Sequence, residues 1–176
     1  MSSASCNQKG TTVTTANPET RIVTTLPSDR EISMVRTFNA PRELVFKALI
    51  DPELVPKWWG LRNSTTIVDT LDARPGGKWR FVQQAPDGAE YGFHGEFREV
   101  VPPERVTWTF EFEGMPGHVV VETMSLTESA GKTTITTNSV FDTTEERDGM
   151  IQSGMEGGAN ESYDRLAELL ATLTAK

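Results

Sequence analysis

Between Ser64 and Phe141 the chain is a series of short segments in which apolar and polar residues alternate, and this pattern restricts the fold most. Alternation with a period of two is typical of β-strands with one buried face. Turn-forming residues separate the segments, as at Pro86–Gly88 and Gly114–Gly117. Such short connections indicate antiparallel neighbours, because a parallel return needs a crossover of about a dozen residues or more. The predicted strands are Thr65–Asp72, Gly77–Gln84, Tyr91–Val101, Val106–Phe112, His118–Leu126 and Thr133–Phe141.

One more strand and two short helices are predicted ahead of this run. Glu31–Phe38 alternates like the later strands. Pro41 follows a capping asparagine and predicts a helix that continues through Ile50. Asp51-Pro52 repeats the start signal, so we expect a second helical turn or two, to about Val55, before the next proline.

The chain ends in a predicted long helix. Thr143 and Glu146 have the spacing of a capping box. Apolar and small residues then recur every three or four positions, so one face of the helix must lie on the sheet. The predicted fold class is α+β, a curved antiparallel sheet of six to seven strands around this helix. The residues of the face are Ile151, Met155, Ala159, Tyr163, Leu166 and Leu170.

The N-terminal segment differs from the rest. Residues 1–29 contain seven Thr and four Ser and lack aromatic residues, which is typical of a flexible tail. Within it, residues 21–26 are β-branched enough to form an edge strand. Residues 30–176 are predicted to form a single domain, because a chain of 176 residues suits one core.

Composition excludes several classes of function. The formal net charge of −8 leaves no basic field for nucleic acid, and no apolar run is long enough for membrane insertion. Cys6 is the single cysteine, and with His94 and His118 as the only histidines, neither a cysteine-based nor a three-histidine metal site can form. We therefore expect no metal and no other cofactor. Cysteine usage favours a cytoplasmic location.

Six short phrases of the sequence together resemble a known family. The phrases are Phe38–Phe46, Asp51–Gly60, Asp72–Trp79, Gly92–Gly95, Val101–Arg105 and Gly114–His118. Through them the chain is similar to the C-terminal domain of the activator of the Hsp90 ATPase, within the START-like, helix-grip (SRPBCC) superfamily of lipid transfer proteins and polyketide cyclases. The resemblance covers roughly residues 30–172. It implies the helix-grip fold, also known from birch-pollen allergens.

The resemblance implies a cavity between the sheet and the last helix. Family members include apparent ligand carriers and an antibiotic-sequestering protein, so we expect non-covalent binding of a small hydrophobic or aromatic molecule. Related sequences often carry Trp where this chain has Ala159, and the smaller residue leaves space unless neighbours fill it. The expected lining residues are Phe46, Trp58, Trp59, Trp79, Phe81, Phe93, Phe97, Trp108, Phe110, Met124, Met155, Ala159 and Tyr163.

Three motifs have a functional and a purely structural interpretation. Trp58-Trp59 either roofs the cavity mouth or packs beneath its loop. Arg74–Gly77 could bind an anion, but a tight hairpin turn explains the same residues. Gly154, Gly157 and Gly158 either let the last helix flex near a ligand or allow close approach to the sheet.

Polar residues offer weak candidates for catalysis. His94 is predicted on the outer face of its strand, beside a charged residue of the same face. His118 is expected at a rim, where a histidine can act as acid or base. Glu111, Glu113 and Glu122 could form an acid pair, but acids on adjacent strands usually face solvent. We therefore predict non-covalent binding rather than catalysis as the function.

Two other functions stay open. One is an enzyme that resembles a polyketide cyclase or lyase and uses a rim histidine or glutamate. The other is a chaperone-binding module related to the Hsp90 activator. A homodimer is compatible with all three functions, and nucleic acid is not an expected partner.

Overall fold

The structure of the protein, a computed structural model, describes residues 16–175. Eight strands and four helices follow one another along this part of the chain. They are β1 (Val23–Thr25), β2 (Glu31–Phe38), α1 (Arg42–Ile50), α2 (Val55–Trp58), β3 (Thr65–Leu71), β4 (Lys78–Gln84), β5 (Glu90–Val101), β6 (Arg105–Phe112), β7 (Val120–Ser129), β8 (Lys132–Val140), α3 (Thr144–Gln152) and α4 (Met155–Thr174).

All the strands belong to one curved antiparallel sheet, in the order β1-β2-β8-β7-β6-β5-β4-β3. The predicted α+β helix-grip fold is confirmed, with two short helices after β2. The sheet has eight strands rather than six or seven, because β1 adds a short edge. β1 pairs with β2 in a register that places Val23 opposite Val35.

The segment before β2 is part of the folded body from residue 16 onward, so the predicted tail boundary at residue 29 lies too late. Ile22 is 1% exposed. Its backbone N–H donates to Oδ1 of Asn160 in α4, over 2.8 Å. The remainder of the predicted tail, residues 1–15, lies outside the described residues.

The second short helix begins where the sequence pattern predicted its end. Pro56 lies in the first turn of α2, where a missing N–H costs no helical hydrogen bond. The helix therefore continues to Trp58, whose indole N–H donates to the carbonyl oxygen of Ala48 over 2.9 Å. This bond joins α2 to α1.

The predicted single C-terminal helix is two helices, α3 and α4. The Thr143 side chain caps α3 and accepts the Glu146 backbone N–H over 3.1 Å, as predicted. Gly154 then takes a left-handed conformation with φ of 80°, and this ends the first helix. The apolar spacing hides the break, because glycine is compatible with either conformation.

The largest core cluster lies between strands β4 to β8 on one side and α1, α2 and the C-terminal half of α4 on the other. Trp79 and Trp108 stack with ring centres 4.2 Å apart, and Phe97 contacts Trp108 at 5.7 Å. Leu166 and Leu170 of α4 are fully buried against this cluster. Across residues 16–175, none of the helices combines the length and apolar character needed to span a membrane.

Candidate functional site: the space under the first half of α4

The thirteen predicted lining residues fall into two groups by position. Those of the first group are at most 7% exposed and pack into the main core. Other side chains of that core cover their surfaces. They are Phe46, Trp58, Trp79, Phe81, Phe97, Trp108 and Met124.

The second group lies where the sheet faces the first half of α4, and each of its members keeps partial solvent exposure. Trp59 contacts Phe93 with ring centres 5.2 Å apart, and Phe93 contacts Phe110 at 5.6 Å. We call the region between these residues the chamber. Phe110, Met155, Ala159 and Tyr163 pack there against a second, smaller buried cluster, which consists of Ile22, Ile32, Met34, Val120 and Phe141. The group is Trp59, Phe93, Phe110, Met155, Ala159 and Tyr163.

Glu122 lies on the concave face of the sheet at this chamber, contrary to the expectation that it faces solvent. Its Oε2 accepts the indole N–H of Trp108 over 2.8 Å. Its Oε1 accepts the hydroxyl of Ser139 over 3.2 Å. A signal was present in the sequence, because alternation in β7 places Glu122 on the same face as Met124 and Leu126.

Glu122 and Tyr163 are partly buried ionisable groups on opposite sides of this region, Glu122 on β7 and Tyr163 on α4. Burial raises the pKa of the Glu122 carboxyl above its usual value and raises the pKa of Tyr163 to about 12.

The Glu122 carboxyl has no ion-pair partner within residues 16–175. The nearby buried cation, Arg36, is 4% exposed and its guanidinium pairs instead with Asp164 of α4, over 3.0 Å. Tyr163 Oη lies 3.3 Å from Thr137 Oγ1. The polar groups of the chamber are therefore an uncompensated acid and neutral hydroxyls.

α3 forms a weakly attached cover at the end of the chamber. None of its residues, all of which the structure describes, is buried. His118 Nδ1 lies 2.6 Å from Oε1 of Glu146, and Arg147 donates to the Ser28 carbonyl oxygen over 2.7 Å. His118 is thus at the rim, where it holds α3 to the loop before β7.

The middle of α4 is fixed more firmly, to the loop after α2. The Gly60 backbone N–H donates to Ser162 Oγ over 3.0 Å, and Arg165 donates to the Gly60 carbonyl oxygen over 3.0 Å. A Cβ at Gly158 would lie 3.8 Å from Leu61, whereas a Cβ at Gly157 would face open space. Of the three glycines, Gly154 forms the joint between α3 and α4, whereas Gly158 leaves room for an ordinary side-chain contact with that loop.

A second charged group lies on the outer face of the sheet. His94 is there, as predicted, but its Nδ1 lies 2.9 Å from Glu113 and its Nε2 3.6 Å from Glu111, not beside an acid of its own strand. Arg80 donates twice to Glu113, over 2.9 and 3.0 Å. Arg80, with His94, lowers the pKa of Glu113 to about 2. The network is exposed and points away from the chamber.

The Arg74–Gly77 segment is a hairpin turn. Arg74 Nε donates to Asp72 Oδ2 over 2.9 Å, and Gly76 has φ of 84°. The guanidinium is therefore engaged by a neighbouring acid rather than free for an anion.

Two clefts of the described chain lie outside the chamber. One, of about 490 Å³, is bordered by Lys47 and Ile50–Glu53. The other, of about 280 Å³, lies between Glu19, Phe38 and Lys132. Neither is lined by a predicted site residue. Within the chamber, the rings of Trp59, Phe93 and Phe110 contact one another.

Comparison with solved structures defines the class of protein. A protein from Rhodobacter sphaeroides is 26% identical, with a TM-score of 0.82 over 86% of this chain and 99% of that one. The AHSA1 protein from Silicibacter pomeroyi is 23% identical and has a TM-score of 0.67 over 81% and 98%. DynU16, a putative protein in the dynemicin biosynthetic locus, is 25% identical with a TM-score of 0.64, over 83% and 48%. The fold is that of the helix-grip, START-like ligand-binding domains.

The family follows from the sequence itself. A profile described as "Activator of Hsp90 ATPase homolog 1-like protein" matches residues 39–171. The chain therefore belongs to this family. None of the curated proteins compared with the chain matches it.

Proposed function

We propose that the protein binds one small apolar or aromatic molecule in the chamber, without covalent chemistry. The observation that supports this most is that aromatic residues of the concave side, Phe93, Phe110 and Tyr163, keep partial solvent exposure although they pack against the core. Aromatic walls favour a flat apolar ligand. Burial of its surface supplies the binding energy.

Binding requires the chamber to open, because the rings of Trp59, Phe93 and Phe110 contact one another in the structure. The part of the molecule suited to move is α3 with the first turns of α4. α3 buries no residue within the described chain, and Gly154 is a joint that needs little energy to rotate. The fixed middle of α4, held through Ser162 and Arg165, would keep the rest of the fold in place.

The proposal is tested with N-phenyl-naphthylamine, a neutral aromatic dye whose fluorescence rises in apolar surroundings. We expect the wild type to bind it. Ala159→Trp should abolish binding while circular dichroism shows an intact fold, because the indole fills the chamber. Gly157→Trp is the matched control, since the same side chain then enters open space and should leave binding intact. Equal binding by wild type and Ala159→Trp would refute this placement.

A second measurement identifies the natural ligand. Native mass spectrometry of the protein purified from its own host should show a retained small molecule. The mass excess should be absent from Ala159→Trp purified in the same way.

An acid–base enzyme resembling a polyketide cyclase or lyase is the second candidate. The raised pKa of Glu122 favours it, because acids displaced in this direction serve as proton donors near neutral pH. DynU16, a putative protein in the dynemicin biosynthetic locus, is a structural neighbour. If the retained molecule is converted by the wild type and not by Glu122→Gln, the enzyme is favoured over the carrier.

The cytoplasmic location stays a prediction, as does the small hydrophobic ligand as partner. Whether the protein forms a homodimer is still open. Light scattering of the purified protein would decide the oligomeric state. The chaperone-binding alternative predicts that the protein co-purifies with Hsp90 and stimulates its ATPase. If neither effect is observed, this alternative is wrong.

A further inference from the structure

Glu122 brings an uncompensated carboxyl into an aromatic chamber. Trp108 and Ser139 each donate one hydrogen bond to it. Neither donor is a cation, and no Lys, Arg or His in residues 16–175 forms an ion pair with it. A buried acid without a counter-ion is costly when ionised, and a positive charge brought by a ligand would remove that cost.

The surroundings also favour a cation. Glu122 lies opposite Trp108 in the β6–β7 register, and Phe110 follows Trp108 on the same face of β6. Phe110 continues through ring contacts to Phe93 and Trp59, and the faces of aromatic rings attract ammonium groups. The buried guanidinium of Arg36 is paired with Asp164 through Nη1, while its Nε has no hydrogen-bond partner within residues 16–175. The whole chain has a formal charge of −8, which raises the local concentration of cations and lowers that of anions.

We infer that the chamber selects aromatic or alicyclic amines, with the ligand ammonium hydrogen-bonded to Glu122 and its apolar body against Phe93 and Phe110. This inference rests on the proposed binding function and adds the chemical class of the ligand. Glu122 sets specificity, and the apolar walls supply most of the affinity. The interaction is a charge-assisted hydrogen bond, and no covalent bond forms.

The test uses three isosteric probes: naphthylmethylamine, naphthylmethanol and naphthoate. Isothermal titration calorimetry at neutral pH measures each dissociation constant for the full chain. We expect the amine to bind at least about tenfold more tightly than the alcohol, the size of one charge-assisted hydrogen bond. The naphthoate should bind most weakly, because its carboxylate would face Glu122.

Two variants assign the preference to one residue. In Glu122→Gln the ratio of amine to alcohol affinity should fall to near one, since the amide carries no charge and can still bond Trp108 and Ser139. Glu113→Gln, the same change on the outer face, should keep the wild-type ratio. A merely structural role for Glu122 would weaken all three probes equally and would leave the ratio unchanged.

The outcomes separate this inference from the binding function. If the alcohol binds and Ala159→Trp blocks it, but the amine shows no preference, the chamber is real and the amine inference is wrong. A preference for the naphthoate would also overturn the inference. If no probe binds, both the inference and the binding function fail.

Discussion

The two parts of the core that lie under the two halves of α4 differ in packing. Under the C-terminal half, Trp79, Phe97 and Trp108 belong to a large, fully buried cluster. Under the N-terminal half lies a smaller buried cluster, and Phe110 and Tyr163, which pack against it, stay partly exposed. The difference follows from the helix. Its middle is fixed to the loop after α2, whereas its first turn follows the joint at Gly154.

The largest expected effect compares one substitution in both halves. Phe97→Ala should cost about 3–5 kcal/mol of unfolding free energy, because a fully buried ring leaves a cavity. Phe110→Ala should cost clearly less, since this ring buries less area, and it should enlarge the chamber. Urea denaturation gives both values. Equal losses of unfolding free energy would show that the core is packed equally well under both halves of α4, which would contradict the comparison.

The joint at Gly154 is tested with alanine. Gly154→Ala should destabilise the protein by about 1–2 kcal/mol, because a side chain disfavours the left-handed conformation. The control is Gly157→Ala, in an ordinary helical conformation facing open space, which should stabilise the fold by up to about 1 kcal/mol. Thermal unfolding measures both variants. If both are more stable than wild type, Gly154 is not held in the left-handed conformation.

The charge of Glu122 makes the free energy of unfolding depend on pH. Its folded-state pKa is raised above 4.5, so the folded protein binds the proton more tightly than the unfolded chain, and stability falls as pH rises above the unfolded value. Glu122→Gln removes this penalty and should gain stability relative to wild type at neutral pH, with the gain shrinking toward pH 4.5. Parallel stability curves for the two proteins would contradict the raised pKa.

Most of the fold was predictable because its signals are local. Alternation marks β2 and the six strands from β3 onward, and turn residues mark the connections. The break between α3 and α4 at Gly154 was not predictable, because the apolar spacing runs through it from Ile151 to Met155 and Ala159 without a shift. Its cause is a backbone angle, and glycine permits that angle without requiring it.

The candidate site was predictable in composition but not in extent. Aromatic residues on inward faces are visible in the sequence. Whether Trp79 is core and Phe93 is lining depends on how closely α4 approaches each strand, and no local pattern encodes that distance. Glu122 is an intermediate case. The alternation of β7 places it inside, but the usual preference of acids for solvent led to the opposite expectation.

The smallest expected effect concerns Glu113, whose pKa is shifted in the direction opposite to that of Glu122. Arg80 and His94 lower it from 4.5 to about 2, so the folded protein binds this proton less tightly than the unfolded chain. The resulting stabilisation is complete above about pH 5 and is lost as pH falls toward about 2. Glu113→Gln should therefore be less stable than wild type at neutral pH, with the difference vanishing in acid.

Thermal unfolding of both proteins across this pH range measures the difference. Glu96→Gln is the matched control, because Glu96 pairs with Lys78 through an exposed contact and pairs of that kind contribute little. If the Glu113 variant and the control behave alike, the outer network adds no more than an ordinary surface pair. The opposite pH slopes of Glu113→Gln and Glu122→Gln would then no longer distinguish the two faces of the sheet.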